Sequence, residues 1–136
     1  MLSTLKNVFG YDAFRPGQEA PIADLIAGEN VFCVMPTGAG KSVIFQIPAL
    51  MGDGLTLVVS PLIALMGDQV SALQLLGVAA ETLNSTNSPE DTDRIWRGVN
   101  SGETRLLYVS PERLMMPSML SRLQGLNVKM IAIDEA

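Results

Sequence analysis

The chain has 136 residues, 48% of them hydrophobic, and its nine basic and fourteen acidic side chains give a net charge of −5. This size and composition indicate one globular domain, and the acidic balance argues against a nucleic-acid binder that works through bulk positive potential. The chain contains no histidine, which excludes histidine general bases and most zinc-site patterns.

The single cysteine, Cys33, excludes an internal disulfide and is expected to be a buried, reduced thiol. The longest apolar stretch is interrupted by Ser60 and Pro61 and falls short of the ~20 residues that a membrane span needs. No basic segment leads into an apolar one at the N-terminus, so no signal peptide is predicted. We therefore expect a cytoplasmic protein with no membrane partner.

The N-terminal segment predicts a short amphipathic helix and then a loop. Apolar residues recur at helical spacing up to a stop at Gly10, namely Leu2, Leu5, Val8 and Phe9. The loop at residues 11–18, YDAFRPGQ, brings an aromatic ring, an arginine and a glutamine together. These groups could stack on and hydrogen-bond a planar base, but from the residues alone a surface loop is the preferred interpretation. Pro16 is expected to begin a second helix that runs to about Gly28.

The segment MPTGAGKS at residues 35–42 is typical of a phosphate-binding loop. An apolar run, Val31–Met35, predicts a strand that leads into a glycine turn and then a helix. Glycines let backbone N–H groups approach phosphate oxygens, and a helix N-terminus favours an anion. The core of the pattern consists of Thr37, Gly38, Ala39, Gly40, Lys41 and Ser42.

Within this loop, Lys41 would reach the β and γ phosphates and the Ser42 hydroxyl would bind Mg²⁺. The full pattern asks for glycine where this chain has Met35, so the loop is a variant. The alternative is a glycine-rich turn between strand and helix with an incidental Lys-Ser pair.

Beyond this loop, apolar runs and helical patterns alternate. The predicted strands are Leu55–Ser60, Val78–Leu83, Arg105–Ser110 and Val128–Ile133. The predicted helices begin at Lys41, Pro61, Pro89 and Pro111, and they end near Pro48, Gly77, Gly102 and Pro117. This alternation predicts an α/β fold with a parallel sheet and right-handed crossovers, in one domain that covers residues 1–136. Trp96 is expected to be a packing residue.

Two segments share one design, in which a strand is followed by serine, proline and a helix: VVSPLIAL at 58–65 and YVSPERLM at 108–115. In each, the serine is expected to cap the helix and the proline to take its first position. Free N–H groups at the carboxyl edge of the sheet could then hold successive phosphates of a nucleic-acid strand. That both segments are only good helix caps stays open.

An acidic pair, Asp134 and Glu135, follows the last predicted strand. In a phosphate-loop protein, Asp134 would hold Mg²⁺ and Glu135 would orient or deprotonate the attacking water. Two solvated acids at a strand end are the simpler alternative, which the pairing with the phosphate loop disfavours.

Taken together, the motifs resemble the first motor domain of the RecQ family of DNA helicases, within helicase superfamily two. The segments that carry this resemblance are FGYDAFRPGQ, MPTGAGKS, QIPAL, VVSPLIALMGDQV, LNST, YVSPERL and IDEA. The resemblance implies a RecA-like P-loop fold, in which a parallel sheet is flanked by helices, and ATP hydrolysis that drives 3′-to-5′ movement on DNA.

The resemblance also assigns residues. It implies that Tyr11, Arg15 and Gln18 contact adenine, and that Lys41, Ser42, Asp134 and Glu135 serve ATP and Mg²⁺. It implies contacts with single-stranded DNA at the two Ser-Pro segments, through Ser60, Pro61, Leu62, Ser110, Pro111 and Arg113. Gly67 stands where relatives more often carry a longer polar residue, which argues against a DNA contact from that turn.

The expected function is thus the ATP-binding part of a DNA helicase. The domain is expected to be incomplete, because the family's DEAH box needs a histidine after Ala136 and its arginine finger comes from a second motor domain. One alternative is a nucleotide-binding fragment that neither unwinds DNA nor hydrolyses ATP. A DEAH-type RNA helicase is a further alternative, which the FRPGQ and SPERL segments disfavour.

Overall fold

A computed structural model describes residues 1–36 and 40–134 of the chain. These residues fall into two compact units, Met1–Gly52 and Asp53–Ala136. The first unit is helical, and the second contains a sheet with helices packed on it. Thr37, Gly38, Ala39, Glu135 and Ala136 lie outside the described residues, so the predictions made for them stay predictions.

The first unit is built from short helices around a small apolar core. Its helical segments are α1 (Leu2–Thr4), a π-helical turn (Leu5–Phe9), α2 (Glu19–Ile26) and α3 (Lys41–Ala49). The predicted N-terminal helix is confirmed, and it ends at Gly10 in the left-handed conformation, with φ of 76°. The buried core residues are Leu5, Ile22, Ile44 and Ile47.

Helix α2 begins at Glu19 and not at Pro16, as the sequence had suggested. The reason is Gly17, whose φ of 86° is left-handed and cannot continue a right-handed helix. Helix α3 ends at Ala49, directly after Pro48, as predicted.

The predicted strand Val31–Met35 is wrong in this structure. Residues 31–36 form no regular element, and Phe32 and Val34 are 88% and 82% exposed. Cys33 is also exposed, so the expected buried thiol is wrong as well. An apolar run becomes a strand only where a neighbouring strand supplies hydrogen bonds. Among the residues that the structure describes, no strand pairs with this run.

The second unit contains a four-stranded sheet with the spatial order β2-β3-β1-β4. Its strands are β1 (Leu55–Val59), β2 (Ala80–Leu83), β3 (Leu106–Val109) and β4 (Val128–Ile133). Every pair of neighbouring strands is parallel. The prediction of an α/β fold with a parallel sheet flanked by helices is therefore confirmed.

The helices of this unit are α4 (Ile63–Leu75), α5 (Pro89–Ser101), α6 (Pro111–Leu114) and α7 (Pro117–Gln124). Helix α7 was not predicted from the sequence, which treated Pro117 only as the limit of the preceding helix. Pro117 instead occupies the first turn of α7, where the missing N–H of a proline costs nothing.

Helices cover both faces of the sheet. On one face, alternate strand residues such as Leu57 and Leu107 pack with α5 and α7. Trp96 of α5 belongs to this core, as predicted, and the Arg122 guanidinium lies 4.7 Å from the centroid of its ring. On the other face, the buried Tyr108 donates a hydrogen bond of 2.9 Å from its hydroxyl to Gln69 of α4. The central strands β1 and β3 are thus buried on both sides, as continuous apolar strands require. In the edge strand β4, Ile131 and Ile133 are exposed.

Candidate functional site

In the first unit, the candidate site is the start of α3. Gly40 precedes the helix with φ of 78° and ψ of 40°, a left-handed conformation, and Lys41 and Ser42 are its first residues. The first N–H groups of a helix have no partner within the helix, and Gly40 has no side chain with which to cap them. These N–H groups lie at the positive end of the helix dipole, which favours the binding of an anion such as phosphate.

Gln18 connects the loop at residues 11–18 to this helix start. Its side-chain Nε2 donates to the carbonyl oxygen of Gly40 at 2.9 Å, and its Oε1 accepts from the backbone N–H of Arg15 at 2.8 Å. Gln18 is only 4% exposed, whereas Tyr11 is 54% exposed. The structure therefore brings Gln18 and Gly40 together, a contact that no local sequence signal could have revealed.

Met35 occupies the position where the phosphate-loop pattern has a glycine. Its side chain packs against the apolar core of the first unit. The Met35 Cε atom lies 3.7 Å from the place where a Cβ on Gly17 would be. Methionine at this position therefore packs beside Gly17, in the loop that carries Gln18.

In the second unit, the candidate site is the carboxyl edge of the sheet. Val59 of β1 is in register with Val109 of β3 and Ile133 of β4, and Val109 is in register with Leu83 of β2. A polar residue follows each of these positions, and we call these residues the polar edge: Asn84, Ser110, Ser60 and Asp134.

Backbone hydrogen bonds continue the ladder into the polar edge. The N–H of Ser60 donates to the carbonyl of Val109 at 3.1 Å, and the N–H of Asp134 donates to the carbonyl of Val59 at 2.9 Å. Neighbouring strands lie about 4.8 Å apart, so the polar edge extends over roughly 14 Å. Sequence reasoning missed Asn84, which is 6% exposed and accepts a hydrogen bond from the N–H of Thr86.

The two Ser-Pro segments differ from each other. Ser110 caps α6 as predicted, since its Oγ accepts from the N–H of Arg113 at 3.2 Å and Pro111 is the first helical residue. The same prediction for Ser60 and Pro61 is wrong, because α4 begins at Ile63. Leu62 takes an extended conformation, and Ser60 Oγ accepts from the Leu62 N–H at 3.3 Å, which closes a turn before the helix.

The charged groups with shifted pKa values lie outside these sites. The pKa of Arg94 is raised by its hydrogen bond and charge pair with Glu81, at 2.9 Å. Burial, and then the charge of Arg105, lowers the pKa of Lys129 near the start of β4. These shifts come from structural contacts and do not mark a catalytic group.

The Ser42 hydroxyl in the first unit and the Asp134 carboxylate in the second are each hard oxygen donors of the kind that Mg²⁺ prefers. In the described ranges 1–36 and 40–134, no cluster of at least three His, Cys, Asp or Glu side chains could hold a metal alone. No helix in those ranges is long and apolar enough to cross a membrane.

Comparison with known proteins identifies the family. The sequence profile of the DEAD/DEAH box helicases matches residues 15–136. The chain belongs to this helicase family. The ATP-dependent DNA helicase RecQ of Haemophilus influenzae is 50% identical over 99% of this chain, and that of Bacillus subtilis is 47% identical over 98%. These matches bear out the resemblance to RecQ helicases.

The matched region is a small part of these relatives. This chain spans 22% of the length of the Haemophilus influenzae protein and 23% of the length of the Bacillus subtilis protein. A solved structure, that of the UvsW helicase from bacteriophage T4, aligns with 85% of this chain and 51% of the UvsW chain. The sequence identity is 16% and the TM-score is 0.48.

Proposed function

We propose that this chain is the ATP-binding part of a RecQ-like DNA helicase, which couples ATP hydrolysis to 3′-to-5′ movement and strand separation in replication, recombination and repair. The observation that carries the proposal is the start of α3. In a chain of the DEAD/DEAH box family, left-handed Gly40 leads directly into a helix that begins with Lys41 and Ser42. A DNA substrate implies a cytoplasmic location, at the nucleoid in a bacterium.

The first unit would hold the nucleotide. The N–H groups at the start of α3 and the Lys41 ammonium bind the phosphates, and Thr37, Gly38, Ala39 and Gly40 complete the loop. Tyr11, Arg15 and Gln18 contact adenine. Because Gln18 is 4% exposed, the base would reach it only past neighbouring side chains.

Ser42 and Asp134 would hold Mg²⁺, which when bound neutralises charge on the β and γ phosphate oxygens. Asp134 directly follows β4, and the hydrogen bond from its backbone N–H to the Val59 carbonyl fixes the position of its backbone. Glu135 would orient the attacking water and accept its proton.

The two Ser-Pro segments, at residues 60–62 and 110–113, would face single-stranded DNA. Ser60 and Ser110 are 2% and 6% exposed and already accept backbone hydrogen bonds, so they act by shaping their turns. Contact with DNA would come from the exposed Pro61 and Leu62 and from Pro111 and Arg113. Because the net charge is −5, such binding depends on these local groups and not on a broad positive surface.

A second candidate is a nucleotide-binding unit that does not turn ATP over by itself. The observation that favours it is the span of 22% of the Haemophilus influenzae relative. Phosphoryl transfer in this class of enzyme depends on an arginine finger, which the family takes from the second motor domain. Both candidates predict nucleotide binding, and a steady-state ATPase measurement on the 136-residue chain separates them.

Calorimetric titration with Mg-ADP tests the proposal. Lys41→Ala removes a charged phosphate contact, for which about 1.5–3 kcal/mol is typical, so we expect about 10-fold to 150-fold weaker binding. Lys6→Ala is the matched control, because it removes an exposed lysine from a helix of the same unit. Equal affinity for the original chain and the Lys41→Ala variant would refute the phosphate-loop assignment.

A further inference from the structure

Strand β2 lies at one end of the sheet, so one of its sides has no neighbouring strand among the described residues. Successive residues of a strand direct their backbone N–H and C=O groups to alternate sides. The carbonyl of Ala79 accepts from the N–H of Leu106 in β3 at 3.4 Å, so the odd-numbered residues of this segment face β3. The even-numbered residues face away from the sheet, and we call them the outer edge: Ala80, Thr82 and Asn84.

At one end of the outer edge, both backbone groups of Ala80 are engaged within the chain. The Nε2 atom of Gln74, near the end of α4, donates to the Ala80 carbonyl at 2.9 Å. The Ala80 N–H donates to the carbonyl of Val78 at 3.0 Å. Because Gln74 is exposed, its side chain serves this bond and does not fill the core.

At the other end of the outer edge, Asn87 engages both backbone groups of Asn84. Its side-chain Oδ1 accepts from the Asn84 N–H at 2.8 Å, and its own N–H donates to the Asn84 carbonyl at 3.3 Å. Asn87 therefore satisfies Asn84 in the way that a residue of a neighbouring strand would. Thr82 lies between these two engaged positions.

The outer edge is complementary to itself. Two identical edges can pair as antiparallel strands across a two-fold axis. If the axis passes beside Thr82, Ala80 of each chain lies opposite Asn84 of the other, and each such pair would exchange hydrogen bonds. Gln74 and Asn87 occupy two of the groups that these pairs need. The bonds between the two Thr82 residues alone do not offset the free-energy cost of association.

Apolar side chains lie beside the same edge. Leu75 and Leu76 directly follow Gln74, and they are 89% and 46% exposed. An unpaired strand edge next to exposed apolar side chains favours pairing between copies of a chain. The hydrogen bonds from Gln74 and Asn87 oppose this tendency, because they use backbone groups that a second copy would bind.

We propose that the outer edge of β2 is a latent pairing surface for a second copy of this chain, which the side chains of Gln74 and Asn87 keep closed. Their role is to limit self-association, and it is independent of the proposed nucleotide and DNA sites. Removing both side-chain amides should therefore convert this edge into a dimer interface.

The double variant Gln74→Ala/Asn87→Ala tests the proposal in sedimentation equilibrium runs over a range of protein concentrations. The two substitutions free the Ala80 carbonyl and the Asn84 N–H, so a two-fold dimer gains two hydrogen bonds between chains. We expect the association constant to rise about 5-fold to 150-fold, the combined effect of two such bonds.

The matched control is Gln124→Ala/Asn100→Ala. It removes the same two side-chain amides from exposed positions on α7 and α5, and its association constant should equal that of the original chain. Circular dichroism would check that each variant is folded. If the double variant does not fold, Gln74→Ala alone takes its place. The freed Ala80 carbonyl can then share the Asn84 N–H of the second copy, so we expect a smaller rise.

Amide hydrogen exchange at Thr82 shows whether any association uses the outer edge. In a dimer paired through β2, exchange of the Thr82 N–H should slow as protein concentration rises, whereas in the original chain it should not change. An unchanged association constant in a folded variant would overturn the proposal. So would an equal rise in the control, a rise without slower exchange at Thr82, or slower exchange at Thr82 in the original chain.

Discussion

The substitution Gly40→Ala should destabilise the first unit by two separable effects. The left-handed conformation of Gly40 costs an L-residue about 1–2 kcal/mol. The new Cβ would also lie 2.5 Å from Nε2 of Gln18, and displacing the amide loses a hydrogen bond of about 0.5–1.5 kcal/mol. The expected total is about 1.5–3.5 kcal/mol of unfolding free energy.

Gly10→Ala isolates the first of these effects. Gly10 has nearly the same φ, 76° against 78° for Gly40, but a Cβ there would meet nothing within 4 Å. Urea unfolding of both variants, followed by circular dichroism, would measure the difference in unfolding free energy. If Gly40→Ala costs no more than Gly10→Ala, the close contact between Gln18 and Gly40 is wrong.

Further predictions concern the second unit and the whole chain. Gly67→Ala should stabilise α4 by about 0.5–1 kcal/mol, because the residue is helical and a Cβ there meets nothing within 4 Å. Ser88→Ala should lower the free energy of unfolding by about 1 kcal/mol, because it removes the N-cap of α5. Ser60→Ala should lower it by less, since Ser60 is not the N-cap of α4. Urea unfolding would measure the change in each of these three variants. Burial lowers the pKa of Lys129 in the folded chain below its ordinary value of 10.5. At pH values between these two, the unfolded chain therefore binds more protons than the folded chain. Stability should therefore rise with pH in this window, and Lys129→Met should remove the rise. In a strand-separation assay, the 136-residue chain alone should show negligible unwinding of duplex DNA.

Short-range patterns were enough to predict most elements of the second unit. Strand β1 is a continuous apolar run, and the structure buries all of its residues. Ser88 and Gly102 mark the start and end of α5, because a serine side chain can accept the third N–H and glycine adopts the left-handed end. These signals depend on residues close in sequence, so they need no knowledge of the fold.

The same patterns failed where the outcome depended on distant residues. The run Val31–Met35 is no less apolar than Leu55–Val59, yet only Leu55–Val59 is a strand, since it has β3 and β4 as hydrogen-bonding neighbours. Ser60 and Ser110 stand in the same local sequence, yet only Ser110 caps a helix. In both comparisons, the local sequence permits more than one backbone conformation. Hydrogen bonds and packing with residues distant in sequence decide which conformation forms.

The sequence by itself therefore determined most strands and helices of the second unit, the parallel α/β class and the residues available to bind phosphate and magnesium, because these follow from spacing, glycine and side-chain chemistry. Only the tertiary structure decided that Gln18 holds the Gly40 carbonyl, 22 residues away. It alone decided that Asn84, Ser110, Ser60 and Asp134 follow strand positions in one register. The physical reason is that contacts between distant residues depend on how the chain folds back on itself, which no local pattern specifies.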